Sequence, residues 1–333
     1  MNSSSTIIGV GSPIIDTVVQ VEDNFIDQID VEKGGMQLVD KETYTSVLKT
    51  IPAKPVRTPG GSAGNTTFAL ARMGNLTRFL GKTGNCDEGE FFRSEFLRLG
   101  GSTQSFKVGN TINGQCLSMV TPDGERTFLT HLGASMTLDS DEISVEDFTD
   151  CTHAHIEGYL VFNRSLITHI LKCAKSAGCS VSLDLASFDV VQQNADFLSE
   201  LLNDYVDIVF ANEKEAAVFT GLPETDYDEM SKQLSKYCEI AVVKAGAMGS
   251  YLTEQNQTFK VEAVPVSQVV DTTGAGDLWA AGFLHGWSRG QSLTRSADIG
   301  SVLGAAVVQV PGSVLPQESW ERSLSEIGTI LSS

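Results

Sequence analysis

Short β-branched runs alternate with helical patterns along most of this chain, and that alternation restricts the fold more than any other feature. "TIIGVGS" (6–12), "TRFLGKTG" (77–84), "HAHIEGYL" (153–160), "CSVSLDL" (179–185), "DIVFAN" (207–212) and "IAVVKAG" (240–246) read as buried strands. Helical patterns separate them. "GNTTFALARMG" (64–74) stops at Gly74, and "GEFFRSEFLRLG" (89–100) puts Phe92, Phe96 and Leu99 on one face before stopping at Gly100. Strands spaced by helices predict a mostly parallel sheet covered by helices on both faces.

Two regions break the rhythm. "IIDTVVQV" (14–21) and "GGMQLVD" (34–40) read as strands with no helix between them. "GQCLSMVTPDGERTFLTHLG" (114–133) reads as a hairpin turning at Pro122-Asp123-Gly124. Together they predict a small second sheet, built from about 12–45 and 104–133, on one unit spanning 1–333. Such a sheet over a strand-end cleft would be a lid; ordinary edge hairpins give the same pattern.

The 333 residues carry a net charge of −19, which disfavours nucleic acid and anionic membrane as partners. No apolar run approaches a membrane span, and the N-terminus lacks a secretory pattern. Six cysteines without CxxC pairs fit a reducing cytoplasm. In so acidic a chain, any phosphate site must draw its positive potential from backbone N–H groups, a few cations or a metal ion.

"DTTGAGD" (271–277) is the most informative stretch. Gly274, Ala275 and Gly276 leave the main chain open to close approach. A helix starting there points unpaired N–H groups and the positive end of its dipole into the turn, which suits phosphate. Asp277 would repel such a ligand unless it had a task, such as taking a proton from an attacking hydroxyl. A plain strand-to-helix turn capped by Asp277 is the alternative. "PGGSAGN" (59–65) allows close approach of a small ligand beside Asn65, or is a helix cap. "ANEKEAAVFTG" (211–221) ends a strand in Asn212, Glu213 and Glu215, at the sheet edge where ligands bind, or simply starts a helix. "GVGSPI" and "GKT" miss the dinucleotide and P-loop spacings. Cys151, His153 and His155 share a strand face, but no second ligand cluster accompanies them.

Taken together, "GGSAGN", "DTTGAGD", "NEKE" (212–215), "VVKAGAMGSYL" (242–252) and "GSPIID" (11–16) resemble the ribokinase-like carbohydrate and nucleoside kinases of phosphofructokinase-B type, over essentially the full chain. "KGGMQLVD", "TPDGERTF" and "EGYL" add a likeness to bacterial adenosine-kinase-like members. The resemblance implies a three-layer α/β/α sandwich with a β-sheet lid, and transfer of phosphate from ATP, with Mg²⁺ and in some members a monovalent cation such as K⁺, to a primary hydroxyl. It implies Asp277 as base, with Gly274, Ala275 and Gly276 as anion hole. Asp16, Ser12, Gly61 and Asn65 would hold the sugar. Asn212, Lys244, Gly246, Gly249 and Thr272 would lie along the nucleotide, and Arg126 would neutralise phosphate. Asn212 and Glu215 would organise Mg²⁺ through water. Many members have Asn where this chain has Ser12. A nucleoside acceptor needs an apolar slot, for which Met36, Leu38, Tyr159 and Phe162 are candidates; these side chains equally suit packing between lid and sheet. The expected acceptor is a nucleoside such as adenosine, with a free sugar as alternative and a non-catalytic sensor as competing class. A monomer or homodimer is expected.

Overall fold

The computed structural model describes residues 5–29, 31, 33, 35–51, 56–122 and 126–332. In chain order the strands are β1 (Thr6–Val10), β2 (Ile14–Gln20), β3 (Met36–Leu38), β4 (Val56–Gly60), β5 (Leu76–Leu80), β6 (Lys82–Gly84), β7 (Lys107–Gly109), β8 (Gly114–Val120), β9 (Arg126–His131), β10 (His153–Glu157), β11 (Ser180–Asp184), β12 (Ile208–Asn212), β13 (Ile240–Lys244), β14 (Ser250–Glu254) and β15 (Gln257–Val261). The helices are α1 (Asp23–Gln28), α2 (Lys41–Thr50), α3 (Ser62–Arg72), α4 (Asp87–Arg98), α5 (Arg164–Ser176), α6 (Phe188–Tyr205), α7 (Glu213–Thr220), α8 (Tyr227–Leu234), α9 (Ala275–Trp287), α10 (Leu293–Val307) and α11 (Gln317–Ser332).

The main sheet runs β15-β14-β13-β12-β11-β10-β1-β5. It is parallel from β5 to β13, and β14 and β15 add antiparallel. Alternate strand residues feed two cores, as the pleat requires. Ile8, Val10, Val181, Leu183, Val209 and Val243 pack with α5, α6 and α8. Ile7, Ile208, Phe210 and Val242 pack with α3, α9, α10 and α11. The result is the three-layer α/β/α sandwich expected.

A second sheet runs β3-β9-β8-β2-β4. One face buries Val19, Leu117, Met119 and Leu129 with Ile26 of α1 and Tyr44 of α2. Register carries Asp16, Cys116, Thr130 and Leu38 in one row across the other face, with Val18, Ser118, Phe128 and Met36 in the next.

Several expectations need correction. A helix, α1, does lie between β2 and β3. Its six residues are too few to show a helical period, and only Ile26 is buried. The run 77–84 splits, because β6 leaves the main sheet to pair with β7. The strand over "HAHIEGYL" stops at Glu157, and residues 158–162 form a 3₁₀ turn. The second sheet takes in β4, at 56–60, beyond the boundaries expected for it. The predicted hairpin pairs as expected from Gln115↔His131 to Val120↔Arg126. Asp123 and Gly124 of its turn lie outside the described residues.

Candidate active site

The parallel strands of the main sheet end on one edge in polar residues: Glu157 on β10, Asp184 on β11, Asn212 on β12 and Lys244 on β13. Ser12 follows β1 by two residues. Backbone N–H groups there have no onward strand to bond, so polar side chains fill the edge.

Facing that edge is the turn before α9. Gly274 caps the helix in the left-handed region (φ 74°), where a side chain would be strained and would also strike Ser313. The Ala275 N–H is taken by the Thr272 carbonyl at 3.1 Å, whereas the first-turn N–H groups that follow have no helical acceptor of their own. Asp271 pins the turn, accepting from the Thr273 N–H (3.0 Å), the Thr273 hydroxyl (2.8 Å) and the Gly312 N–H. Lys244 lies against it. Its Nζ is 2.9 Å from where a Cβ on Gly276 would stand, so glycine leaves room for the ammonium beside the turn. Lys244 also donates to Asp184 Oδ2 at 2.7 Å. Burial works against the lysine's charge, yet Asp184 and Glu215 hold its pKa above the ordinary value. Burial likewise lifts Asp184, but Lys244 more than offsets it and keeps the carboxyl below its usual range.

Asp277 is the third residue of α9. Its Oδ1 accepts from the Ser62 hydroxyl (2.9 Å) and its Oδ2 from Asn65 Nδ2 (2.8 Å). Asn65 Oδ1 in turn accepts from the Ser313 hydroxyl at 3.0 Å. Burial, with the Asp184 charge adding to it, pushes the Asp277 pKa up to about 6 against the pull of Asn65, Ser62 and Lys244. Asp16 approaches from the second sheet. Burial and the Asp277 charge push it up to about 7, with Arg126 opposing. Gly60 makes room for it, since a Cβ there would stand 2.1 Å from Asp16 Oδ2.

The other expected residues take up these places. Asn65 aims its amide at Asp277, so it stands behind the carboxylate. Gly61 caps α3 (φ 85°), against the Ser12 carbonyl. Ser12 donates its N–H to Glu157 Oε1 at 2.8 Å. Gly246 and Gly249 bracket the 3₁₀ turn after Lys244, and Thr272 is exposed. Arg126 is engaged by Asp271 at 2.6 Å rather than free in the cleft, with both side chains at most 10 % exposed. Met36 and Phe162 are both more than half exposed. His153 and His155 are buried and bonded to Ser180 and Ser182, each contact 2.8 Å, and burial drives their pKa values down to about 3 and 4.

Asn212 and Glu215 form a capping box on α7. Both Glu215 oxygens are taken, by the Asn212 N–H (2.8 Å) and Nδ2 (2.7 Å). Burial, with Asp184 adding to it, pushes Glu215 up to about 7. Among the described residues no group of three His, Cys, Asp or Glu could ligate a metal directly.

Asp184, Glu157 and Ser62 were missed as site residues, and Asp271 was quoted only within its motif. The rule that singled out Asn212, a polar residue ending a buried parallel strand, applies equally to Asp184 in "CSVSLDL" and Glu157 in "HAHIE".

A glycine turn with a cation beside it and a buried carboxylate at its mouth, set on the carboxyl edge of a parallel sheet, is an arrangement suited to phosphoryl transfer. Residues 36–320 match the pfkB family of carbohydrate kinases, and the chain belongs to that family. It is an ATP-dependent phosphotransferase acting on an alcohol group. The fold superposes on a probable sugar kinase from Rhizobium etli with a TM-score of 0.86 and 28 % identity, covering 98 % of this chain and 99 % of the other. An adenosine kinase from Sinorhizobium meliloti gives 0.85 and 28 %, covering 97 % and 99 %. A ribokinase from Arabidopsis thaliana is 29 % identical over 290 residues, 83 % of this chain and 74 % of that protein. Among the described residues no helix is long and apolar enough to cross a membrane.

Proposed function

We propose that this kinase phosphorylates the primary hydroxyl of a ribose-containing acceptor, with a nucleoside of the adenosine type as its preferred substrate. One observation carries the reading: two carboxylates, Asp16 from the second sheet and Asp277 from α9, reach the same cleft closely enough for the charge of one to raise the pKa of the other. Asp16 grips the sugar diol through paired hydrogen bonds. Asp277 takes the proton of the acceptor hydroxyl as its oxygen bonds to the γ-phosphorus and the bond to ADP breaks. The N–H groups of the Gly274–Gly276 turn and the Lys244 ammonium receive the charge on the transferred group. Phosphoryl transfer passes through a loose transition state, so orientation and late removal of the proton suffice. Asn212 and Glu215 would hold Mg²⁺ through water, and the ion would supply charge neutralisation for the nucleotide phosphates.

The base would rest among exposed apolar groups. Met36 lies in the row next to Asp16 on the open face, beside a hollow of about 210 Å³ lined also by Val31 and Phe128. The turn after β10 carries Tyr159 and Phe162, which are 42 % and 58 % exposed. An exposed ring on that turn suits a stacked base.

Phosphate transfer from ATP across a panel of nucleosides and sugars, in K⁺ and in Na⁺ buffer, tests the reading. Adenosine or a close purine nucleoside should show the highest kcat/KM. Phe162→Ala should reduce that preference by about fivefold or more, since stacking on a base contributes about 1–3 kcal/mol. A free sugar such as ribose or fructose outperforming every nucleoside would replace the nucleoside with a sugar acceptor.

A further inference from the structure

Residues 308–313 run beside the turn before α9 and are tied to it along their length. The Val308 carbonyl accepts from the Val270 N–H (2.7 Å) and the Asp271 N–H (3.2 Å). The Gly312 N–H donates back to Asp271. Gly274 yields its side-chain space to Ser313, since a Cβ on the glycine would stand 2.6 Å from the Ser313 Cβ. Ser313 is 8 % exposed. Its hydroxyl is thus held in a fixed place against the helix start that carries Asp277.

From that place it donates to Asn65 Oδ1 at 3.0 Å, and the other end of the same amide donates from Nδ2 to Asp277 Oδ2 at 2.8 Å. A planar amide held at both ends cannot swing without losing one of its bonds. Bonds in a row also polarise one another, so a donor on the carbonyl oxygen makes the N–H groups of that amide stronger donors. Both effects favour the ionised carboxylate that Asn65 faces. Burial sets the upward shift of Asp277, Asn65 is the strongest group opposing it, and Ser62 and Lys244 of β13 add to Asn65. Asp184 of β11 pushes the other way, and the Asp277 charge is felt in turn by Asp16 of β2, Glu157 of β10 and Tyr159 after it. Residues 311–314, Pro-Gly-Ser-Val, carry no titratable side chain. The Ser313 hydroxyl therefore reaches the base through the Asn65 amide.

We infer that Ser313 is a positioning residue for phosphoryl transfer, holding the Asn65 amide in the orientation in which it donates to the ionised base. The inference rests on the reading of Asp277 as that base given above. A serine that only fills the space beside Gly274 would make the same contact without any effect on proton transfer.

Ser313→Ala removes the hydroxyl and keeps the carbon that fills the space beside Gly274. Thermal melting, ATP affinity by calorimetry and the pH–kcat profile with the best acceptor separate the two roles. If Ser313 positions, the variant melts cooperatively and binds ATP within about twofold of the parent. The acid limb of its profile moves to higher pH by about half a unit to one unit, because a bond that favours the charged carboxylate is weakened. With the parent limb at about 6, that is a loss of about two- to fivefold in kcat at about pH 6, shrinking as pH rises. An acid limb that stays in place overturns the inference. Asn65→Ala tests the route. It should move the limb at least as far, and adding Ser313→Ala to it should move the limb no further. Shifts that simply add overturn the route through the amide. Should Ser313→Ala not fold, Ser313→Cys takes its place. A thiol is a weaker donor than a hydroxyl, so a smaller shift in the same direction is expected, and none overturns the inference. NMR titration of the Asp277 carboxyl, assigned by its absence from Asp277→Asn, keeps the two readings apart. If Asp277→Asn still turns over, the base assignment fails. The carboxyl titration then judges Ser313 by itself: an upward move in Ser313→Ala supports the hydrogen-bonded chain, and no move overturns it.

Discussion

Asp277 shows how position along a helix and position in the fold compete over one side chain. As the third residue of α9 it meets the positive end of the helix dipole, and Ser62 and Asn65 donate to it. Each of these favours the charged form, so the motif alone predicts a weak base. Burial outweighs them and lifts the pKa to about 6. A base must be unprotonated, so turnover should hold on a plateau above about pH 6 and fall towards tenfold per unit as pH drops below it. A pH–rate profile of kcat checks this limb. On the proposed reading, Asp277→Asn removes the base while keeping the contacts to Ser62 and Asn65 largely in place. It should retain ATP binding, measured by calorimetry, and lose about 10²–10⁴ in kcat. Near-normal turnover in that variant would remove Asp277 from the chemistry.

At the level of elements, one ion pair ties the second sheet to the turn before α9. Arg126 opens β9, and Asp271 opens the turn before α9. The partners are not equally engaged. Asp271 also accepts from two groups of Thr273 and from the Gly312 N–H, whereas among the described residues Arg126 has one further hydrogen bond, to the Ser118 hydroxyl at 3.3 Å. Asp271→Ala therefore strips several donors and leaves a buried guanidinium unpaired, which costs about 3–5 kcal/mol in comparable pairs. Arg126→Met leaves Asp271 with its three local donors and replaces the charge by an apolar chain of similar length. It should cost clearly less, about 1–2 kcal/mol, because most of the carboxylate's hydrogen bonds survive. Chemical denaturation of both variants tests the order. An equal loss from both would mean the bridge itself, and not the bracing of the turn, is what Asp271 supplies.

The whole molecule sets two families of buried titratable groups against each other. Asp16, Glu157 and Glu215 are pushed up to about 7 and Asp277 to about 6, in each case chiefly by burial. Around pH 6–7 these groups bind protons in the folded state that their unfolded counterparts, at 3.8 or 4.5, do not. Their contribution to stability therefore rises as pH falls through 7. His153, His155 and His285 run the other way. Burial lowers them to about 3, 4 and 3, so below their ordinary 6.5 only the unfolded chain takes up protons. Four carboxyls against three imidazoles leave a modest net gain. The melting temperature without ligands should rise by a few degrees from pH 8 to pH 6, while turnover begins to fall at the acidic end. A melting temperature that drops over that range would show that the cleft carboxylates are not held above their ordinary values.

Sequence by itself was enough for the layers. The alternation of β-branched runs with helical stretches reflects strands buried on both faces, and β1, β10, β11, β12 and β13 fall where such runs occur. "DTTGAGD" was legible because its chemistry is local: a left-handed glycine, an open helix start and a carboxylate lie within seven residues. Short elements and distant partners were not legible. α1 has one buried residue and no measurable period, and β4 shows an exposed edge strand's pattern until β2 pairs with it. The pairings Arg126–Asp271, Lys244–Asp184 and Asn65–Asp277 span 145, 60 and 212 positions. No local propensity records them. The upward pKa shift of Asp277 and the hydrogen-bonded chain that reaches it from Ser313 arise only when folding withdraws that carboxylate from water and brings remote donors to it. Pattern depends on the chain's own period, whereas burial and charge proximity depend on what the rest of the molecule places nearby.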